Sequence, residues 1–162
     1  MKELDCCFEE ENNWFRYRAA AIIVENDCVL LAKNEASDYY YSVGGGVHMN
    51  ETSKEAVERE TLEETGVPYK VDRLAFIHEN FFEGDGSFTH GKKHCHEIAF
   101  YYLMKSKGNK ELNSNSYSKG IKENMYWIPI DELDKYKAYP TFFKDKLKNL
   151  KNEIEHIVTI EK

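Results

Sequence analysis

The sequence lacks any apolar run long enough to cross a membrane and any block of basic residues. A membrane-spanning helix needs about 18 or more apolar residues in succession, so we expect no such helix and no membrane partner. The first 15 residues have neither the apolar centre nor the small-residue cleavage pattern of a secretory signal. The formal net charge is −7. This acidity argues against a duplex nucleic-acid partner, because surfaces that bind duplexes are basic.

Cysteine is scarce, with four residues in a chain of 162, which is too few for a disulfide-stabilised fold. Cys6 and Cys7 are adjacent, so they cannot easily bridge each other, and no C-x-x-C pair is present. We therefore expect free thiols and a cytoplasmic location, where thiols stay reduced. A chain of this length should form a single domain over residues 1–162, with residues 1–13 as a frayed lead-in.

The stretch from Gly44 to Val67 is the most informative part of the sequence, because three consecutive glycines lead into a glutamate-rich segment. Thr52 followed by Glu55 is a capping-box pattern, in which the threonine hydroxyl accepts a hydrogen bond from a backbone N–H of the first turn. Gly66 supplies the left-handed residue that commonly ends a helix. The sequence therefore predicts a helix over Ser53–Thr65.

Three glutamates of this predicted helix, Glu60, Glu63 and Glu64, stand at positions i, i+3 and i+4 and should converge on one stripe. Like charges so close repel each other by about 0.2–0.5 kcal/mol per exposed pair, and by more when they are partly buried. Arg59 alone cannot neutralise three carboxylates, so a further cation should bind. Clustered carboxylate oxygens suit a hard divalent ion, either Mg²⁺ or Mn²⁺. The competing interpretation is a solvated acidic helix.

The predicted helix should place small and apolar residues beside these glutamates. Ala56 and Val57 precede the glutamates by one turn on the same side, with Thr61 next to them. A helix usually keeps its carboxylates away from its apolar stripe, so this arrangement favours a binding site. The solvated side of the helix should carry Glu55, Glu58 and Thr65.

The same stretch resembles the signature of the Nudix hydrolases. That signature is Gly, five residues, Glu, seven residues, Arg-Glu, a bulky aliphatic residue, any residue, Glu-Glu, any residue, Gly and an aliphatic residue. The matching positions are Gly45, Glu51, Arg59, Glu60, Glu63, Glu64, Gly66 and Val67. Two positions depart from the family pattern: Thr61 replaces the aliphatic residue, and Val43 stands where many members have proline.

Strand-like segments surround the predicted helix, and the resemblance implies an α/β fold: a mixed β-sheet sandwiched between helices, with the motif helix over the sheet. Predicted strands occupy residues 14–25, 28–33, 39–41, 69–80, 94–104 and 123–130, with a hairpin turn at Asn26-Asp27 and a glycine loop before the helix. Helices are predicted near Asp131 and over residues 143–150. For residues 156–160 the sequence is compatible with either a short strand or a tail. A long loop over residues 81–93 and a mobile polar segment over residues 105–120 complete the prediction.

The resemblance also implies a chemistry: water attacks a phosphorus atom of a nucleoside diphosphate linked to another group, with the help of Mg²⁺ or Mn²⁺. The implied metal ligands are Glu60, Glu63, Glu64 and a backbone carbonyl of Gly44 or Gly45. Glu51 and Arg59 would hold these glutamates in place. The expected catalytic set is Glu60, Glu64, Arg59 and Glu123, with Arg59 acting only through the carboxylates it pairs with. The general base is one of the motif glutamates or Glu123, with Glu97 as a second choice.

The sequence says less about substrate-binding residues. Arg16 and Arg18 share one face of a strand, and a phosphate-facing role and a surface role are both open. Tyr41 and Phe82 are the expected contacts to the nucleotide-type substrate, chosen from aromatics near the motif that also include Tyr39, Tyr40, Phe81 and Phe88. His90, His94 and His96 with Cys95 suggest a soft-metal site, but surface or substrate-lining histidines are favoured.

Two classes of function are compatible with the sequence. The first is a Mg²⁺-dependent diphosphatase acting on ADP-ribose-like compounds or nucleoside triphosphates. The second is a non-catalytic nucleotide-sensing module on the same fold. The enzyme is favoured because all the motif glutamates are present and no DNA-binding segment accompanies the domain. The physiological substrate, the number of metal ions and the choice between a monomer and a homodimer are open.

Overall fold

The computed structural model describes residues 3–86, 89–118 and 120–161. Its main helix is α1 (Ser53–Thr65), and a second, short helix is α2 (Phe143–Lys146), with 3₁₀ turns at Ile130–Lys135 and Leu147–Asn149. The strands are β1 (Cys7–Glu10), β2 (Asn13–Ile22), β3 (Val24–Glu25), β4 (Cys28–Asn34), β5 (Tyr40–Gly46), β6 (Val71–Gly84), β7 (Lys93–Met104), β8 (Ser116–Ser118), β9 (Ile121–Pro129), β10 (Ala138–Tyr139) and β11 (Glu155–Ile160). None of the helices in the described part of the chain is long and apolar enough to span a membrane.

The strands form a mixed sheet in the order β11-β6-β7-β2-β5-β4-β9-β8. Its centre is the parallel pair of β2 and β7, in which residues 13–22 align with residues 94–103. Strand β5 runs antiparallel to β2 on the other side, so that Ala20 lies opposite Gly44. The parallel pairing of β11 with β6 shows that residues 155–160 form a strand rather than a tail.

Each face of the sheet has its own hydrophobic core, because side chains alternate between the faces along every strand. On one face Ala19, Ala21 and Val43 pack with Ala56 and Val57 of α1. On the opposite face lie Ala20, Ile22 and Leu31, together with residues of the C-terminal helical turns: Leu133, Phe142, Phe143 and Leu147. Helices therefore cover both faces, as the predicted α/β/α sandwich requires.

Helix α1 has the predicted bounds, and both predicted ends are confirmed. The Thr52 side chain accepts a hydrogen bond from the Glu55 N–H over 3.1 Å, and Gly66 adopts a left-handed conformation with φ 73°. The face assignment is wrong at Thr65, which is fully buried. Its hydroxyl donates to the Thr61 carbonyl over 2.6 Å. Thr65 therefore faces the protein, whereas Leu62 and Glu63 of the same turn are exposed.

Several segments are more ordered than predicted. Residues 7–10 are not frayed but form β1, which pairs with β2. The three glycines do not form a loop, since residues 44–46 continue β5 and pair with β2. Strand β6 extends into the predicted loop as far as Gly84, and the polar segment over residues 105–120 contains β8. The turn at Asn26-Asp27 is confirmed, with φ values of 48° and 60°.

Candidate active site

The glycines of β5 let the carboxylates of α1 lie directly on the sheet. A methyl group on Gly45 would come within 2.5 Å of the Glu60 carboxyl carbon. One on Gly44 would come within 2.4 Å of the Ala19 carbonyl oxygen. The Gly44 N–H donates a hydrogen bond of 2.8 Å to Glu64 Oε2. Glycine at position 45 therefore lets the Glu60 side chain approach β5 closely, and glycine at position 44 lets β5 pack closely against the backbone of β2.

Arg59 connects the glutamates of α1 to the end of β5. Its Nε and Nη2 donate to the two carboxylate oxygens of Glu51 over 2.8 and 3.0 Å, a bidentate pair. Its Nη1 donates to Glu60 Oε1 over 3.0 Å, and its Nη2 reaches the Gly46 carbonyl over 3.1 Å. Glu63 is the outer member of the cluster, 3.3 Å from Arg59 Nη1 with its side chain 58% exposed.

The carboxylates nearest the sheet are held in an environment that disfavours their charge. Burial raises the pKa of Glu64 well above its usual value, and the charges of Glu60 and Glu123 raise it further. The pKa of Glu60 is also raised, chiefly by burial, although Arg59 opposes this effect. Buried carboxylates that repel one another attract a cation.

Glu123 joins this group from a different part of the sheet. It is buried on β9, and both of its carboxylate oxygens accept hydrogen bonds from hydroxyl groups. Tyr41 of β5 donates to Oε2, and Ser116 of β8 donates to Oε1 over 2.7 Å. Glu123 is close enough to Glu64 for its charge to raise the pKa of that carboxyl group, and its catalytic role stays a prediction.

The segment that precedes β8 is part of this neighbourhood, which the sequence did not indicate. The Asn113 N–H donates to the Thr65 carbonyl over 2.8 Å, and Ser114 Oγ donates to the Glu64 carbonyl over 2.6 Å. These contacts attach residues 113–116 to the last turn of α1. The serines and asparagines of this segment are the only feature of the sequence that could have indicated its attachment to α1. Such a run is equally typical of a mobile surface loop.

Arg16 and Arg18 lie on the face of the sheet opposite α1, because they share the side of β2 that carries Ala20 and Ile22. Arg16 pairs with Glu97, at 2.9 Å from Nε and 2.7 Å from Nη2. Arg18 is buried and donates to the hydroxyl and the carbonyl oxygen of Ser42 over 3.0 and 2.8 Å. The shared face is confirmed. Among the described residues neither arginine donates a hydrogen bond to a motif glutamate, but the charge of Arg18 opposes the rise in the pKa of Glu60 and of Glu64.

Glu97 is a poor second candidate for the base. Burial alone would raise its pKa, but the guanidinium groups of Arg16 and Arg18 overcome this effect and hold the pKa below its usual value. A carboxylate stabilised in this way binds a proton weakly. Glu97 also sits on the Arg16 side of the sheet, away from Glu64.

The remaining predicted residues are dispersed. Phe82 is half-buried, and its ring makes an edge contact with Trp14 at 6.4 Å. The prediction for Phe88 falls outside the described residues. His90 and His94 pair separately with Glu9 and Glu83. The His96 ring contacts the Phe81 ring in a tilted arrangement, with the ring centroids 4.4 Å apart. The three histidines therefore do not form a common site.

Glu58 has a structural contact that the sequence did not reveal. Its carboxylate accepts a hydrogen bond of 2.9 Å from the Val71 N–H at the start of β6. The prediction that this side chain is solvated is therefore wrong. Glu55, which is exposed on the same helix, is the better representative of the solvated side.

The donor chemistry of the site fits a hard divalent cation. Glu60, Glu64 and the carbonyl groups of the glycine segment are oxygen ligands, as Mg²⁺ and Mn²⁺ prefer. Across residues 3–86, 89–118 and 120–161, however, no three acidic, histidine or cysteine side chains are placed so that they could together hold a metal ion. Arg59 lies between Glu60 and Glu63, and it separates the predicted ligands.

Comparison with known proteins gives consistent results. The family model described as the NUDIX domain matches residues 15–149. A MutT-like protein from Streptomyces ambofaciens is 36% identical over 120 residues, which are 74% of this chain and 67% of that protein. The crystal structure of a mutator MutT protein from Bacillus halodurans matches with a TM-score of 0.64 and 23% identity, over 87% of this chain and 89% of that one. An ADP-ribose pyrophosphatase from Streptococcus suis has a TM-score of 0.54 and 16% identity, over 88% of this chain and 98% of that one.

Proposed function

The chain belongs to the NUDIX family of pyrophosphohydrolases, and on that premise we propose that it cleaves the diphosphate bond of a nucleoside diphosphate linked to another group. The observation that carries this proposal is the packing of Glu60 and Glu64 against Gly44 and Gly45. That packing concentrates negative charge at a surface where a cation and a diphosphate can meet. The cytoplasm is the proposed location, and the four free cysteines support it.

Nudix hydrolases generally use divalent metal ions, and Mg²⁺ or Mn²⁺ is the proposed cofactor. Glu60, Glu63, Glu64 and a carbonyl of Gly44 or Gly45 would hold it. When bound, the cation would neutralise charge on the diphosphate and acidify a water molecule. Arg59 and Glu51 would keep Glu60 oriented, because the guanidinium already bridges both carboxylates and the Gly46 carbonyl.

The proposed general base is Glu123. Its carboxylate accepts a proton from water while the water oxygen bonds to phosphorus. The P–O anhydride bond then breaks, and its electron pair stays on the leaving phosphate oxygen. Glu123 suits this role because it is buried near Glu64 and accepts hydrogen bonds only from neutral hydroxyls among the described residues.

The proposed substrate is a nucleotide-type small molecule, of the ADP-ribose or nucleoside triphosphate kind. The similarity in fold to an ADP-ribose pyrophosphatase makes ADP-ribose one compound to test. Phe82, Arg16 and Arg18 are proposed to contact the parts of the substrate remote from the bond that breaks. Arg16 supports this role because its side chain is partly open to solvent, at 28% exposure.

A substrate panel tests the proposal. It contains ADP-ribose, NADH, dinucleoside polyphosphates, nucleotide sugars, and normal and oxidised nucleoside triphosphates, each with and without Mg²⁺. We expect at least one metal-dependent hydrolysis, with kcat reduced about a hundredfold or more in Glu64→Gln, equivalent to about 3 kcal/mol of transition-state stabilisation. Inactivity of the wild type across the panel would overturn the proposal and favour a nucleotide-sensing module.

A further inference from the structure

We propose that Tyr41 and Ser116 are positioning residues that hold the Glu123 carboxylate toward Glu64, and that residues 113–116 therefore belong to the active site. The inference rests on the proposed function, in which Glu123 accepts the proton of the attacking water. It replaces the sequence-based expectation that Tyr41 contacts substrate. The same contacts explain why a polar segment that looks like a surface loop is attached to the motif helix.

The sheet brings Tyr41 and Glu123 to the same face although 82 positions separate them in the chain. Strand β4 lies between β5 and β9, and its Ala32 pairs with Tyr41 on one side and Met125 on the other. Alanine presents only a methyl group, so the tyrosine ring can extend across β4. Its hydroxyl thereby reaches Glu123 at the start of β9.

The two hydroxyls fix the carboxylate without neutralising its charge. Each oxygen of Glu123 accepts one hydrogen bond, which restricts rotation of the group and leaves lone pairs available. By contrast, Glu51 and Glu97 are both paired with arginines. Glu123 has no ion pair within the part of the chain that the structure describes. Burial and the Glu123 hydrogen bond raise the pKa of Tyr41, so its hydroxyl stays protonated and remains a donor.

The segment over residues 113–116 links the two carboxylate-bearing elements. Ser114 donates to the backbone carbonyl of Glu64, and Ser116 donates to the side chain of Glu123. Both serines are supplied by one short stretch of chain. This stretch therefore sets how the base is placed relative to the motif helix, since it contacts both.

Steady-state kinetics on a double-mutant cycle tests the inference. Tyr41→Phe and Ser116→Ala each remove one hydroxyl, and Glu123→Gln removes the base. On a compound that the wild type hydrolyses, each hydroxyl variant should lower kcat by about tenfold and leave KM within about twofold. In the Glu123→Gln background the same changes should have little further effect, because the group they position is already absent.

Two controls separate positioning from general damage. Tyr40→Phe is the same substitution at the preceding residue, and kcat should not change. The Tyr40 ring lies on the opposite face of the sheet, against Tyr126. Ser116→Thr keeps a hydroxyl and should retain most of the activity that Ser116→Ala loses. Two results would overturn this inference without affecting the proposed function. One is a raised KM with a normal kcat in Tyr41→Phe, and the other is a loss of kcat from a hydroxyl variant that simply adds to the loss from Glu123→Gln. A wild type without any activity would overturn the proposed function and this inference with it.

Discussion

Gly44 and Gly45 differ in what an added methyl group would meet, and this difference gives a paired prediction at the residue scale. In Gly45→Ala the methyl meets the end of the flexible Glu60 side chain, so Glu60 should move while the fold persists. In Gly44→Ala the methyl meets the backbone of β2, at a φ of 154°. That substitution should cost about 2 kcal/mol or more of stability.

Thermal unfolding and kinetics on both variants check this prediction. Gly44→Ala should lower the Tm by about 4–8 °C, given the usual sensitivity of a domain of this size. Gly45→Ala should change the Tm little but lower kcat by about tenfold or more, because Glu60 leaves its position beside Arg59. Equal loss of stability in both variants would mean that the Glu60 side chain cannot move away from the added methyl group.

Glu63 gives a second prediction at this scale, because it is the exposed member of the motif. Glu63→Gln should lower kcat by about a hundredfold, since a neutral amide is a poor ligand for a hard cation. Its Tm without metal should match that of the wild type, since surface substitutions usually change stability by no more than about 0.5 kcal/mol. Glu55→Gln, at an exposed position of the same helix, is the control and should be silent in both measurements. Normal activity in Glu63→Gln would remove this residue from the proposed ligands.

At the scale of elements, α1 depends on its N-terminal cap. Thr52→Ala removes the acceptor for the Glu55 N–H and should cost about 1 kcal/mol, measurable by urea unfolding. Lys54→Ala, at an exposed position of the first turn, should change stability by less than about 0.5 kcal/mol. Similar effects from the two substitutions would show that the cap contributes little.

The bounds of α1 could be predicted because both of its ends depend on local residues, Thr52 and Gly66. The strand conformation of the glycine segment could not be predicted. Consecutive glycines usually indicate a loop, and only pairing with β2 shows that they are a strand. The contact of the Tyr41 hydroxyl with Glu123 could not be predicted for a related reason, because it depends on β9, far along the chain.

Other parts of the site depend on contacts that no local pattern encodes. The spacing of the motif glutamates predicts a shared stripe, but it does not reveal that Arg59 separates Glu60 from Glu63. The attachment of Ser114 and Ser116 is tertiary as well, because it requires the end of α1 and β9 to be adjacent. In each case the partner is supplied by the assembled sheet.

At the scale of the whole molecule, buried His78 predicts how stability responds to acid. Burial lowers its pKa to about 4, whereas an unfolded histidine titrates near 6.5. Between these values the unfolded chain binds a proton that the folded chain excludes, so stability falls as the pH drops from about 6.5 toward 4. Its Nδ1 has no hydrogen-bond partner within the described residues, which agrees with a neutral ring.

His78→Gln isolates this contribution, because the amide does not titrate. Between pH 7 and pH 5 the Tm of the wild type should fall by a few degrees more than the Tm of the variant. Glu60 and Glu64 have raised pKa values and contribute in the opposite direction, but equally in both proteins. An identical pH dependence of Tm in the two proteins would contradict the prediction.

The pairing of β2 with β7 has a consequence for synthesis on the ribosome. Asn13 and His94 are neighbours in the sheet. Strand β2 and the complete helix α1 therefore leave the ribosome long before β7, which pairs with β2 at the centre of the sheet. The pairs of β4 with β9 extend this delay to residue 129. Until then the nascent chain carries open strand edges. Contacts between distant positions form slowly, and open edges invite aggregation. We therefore expect production of the folded protein to depend on the rate of translation and on the supply of chaperones.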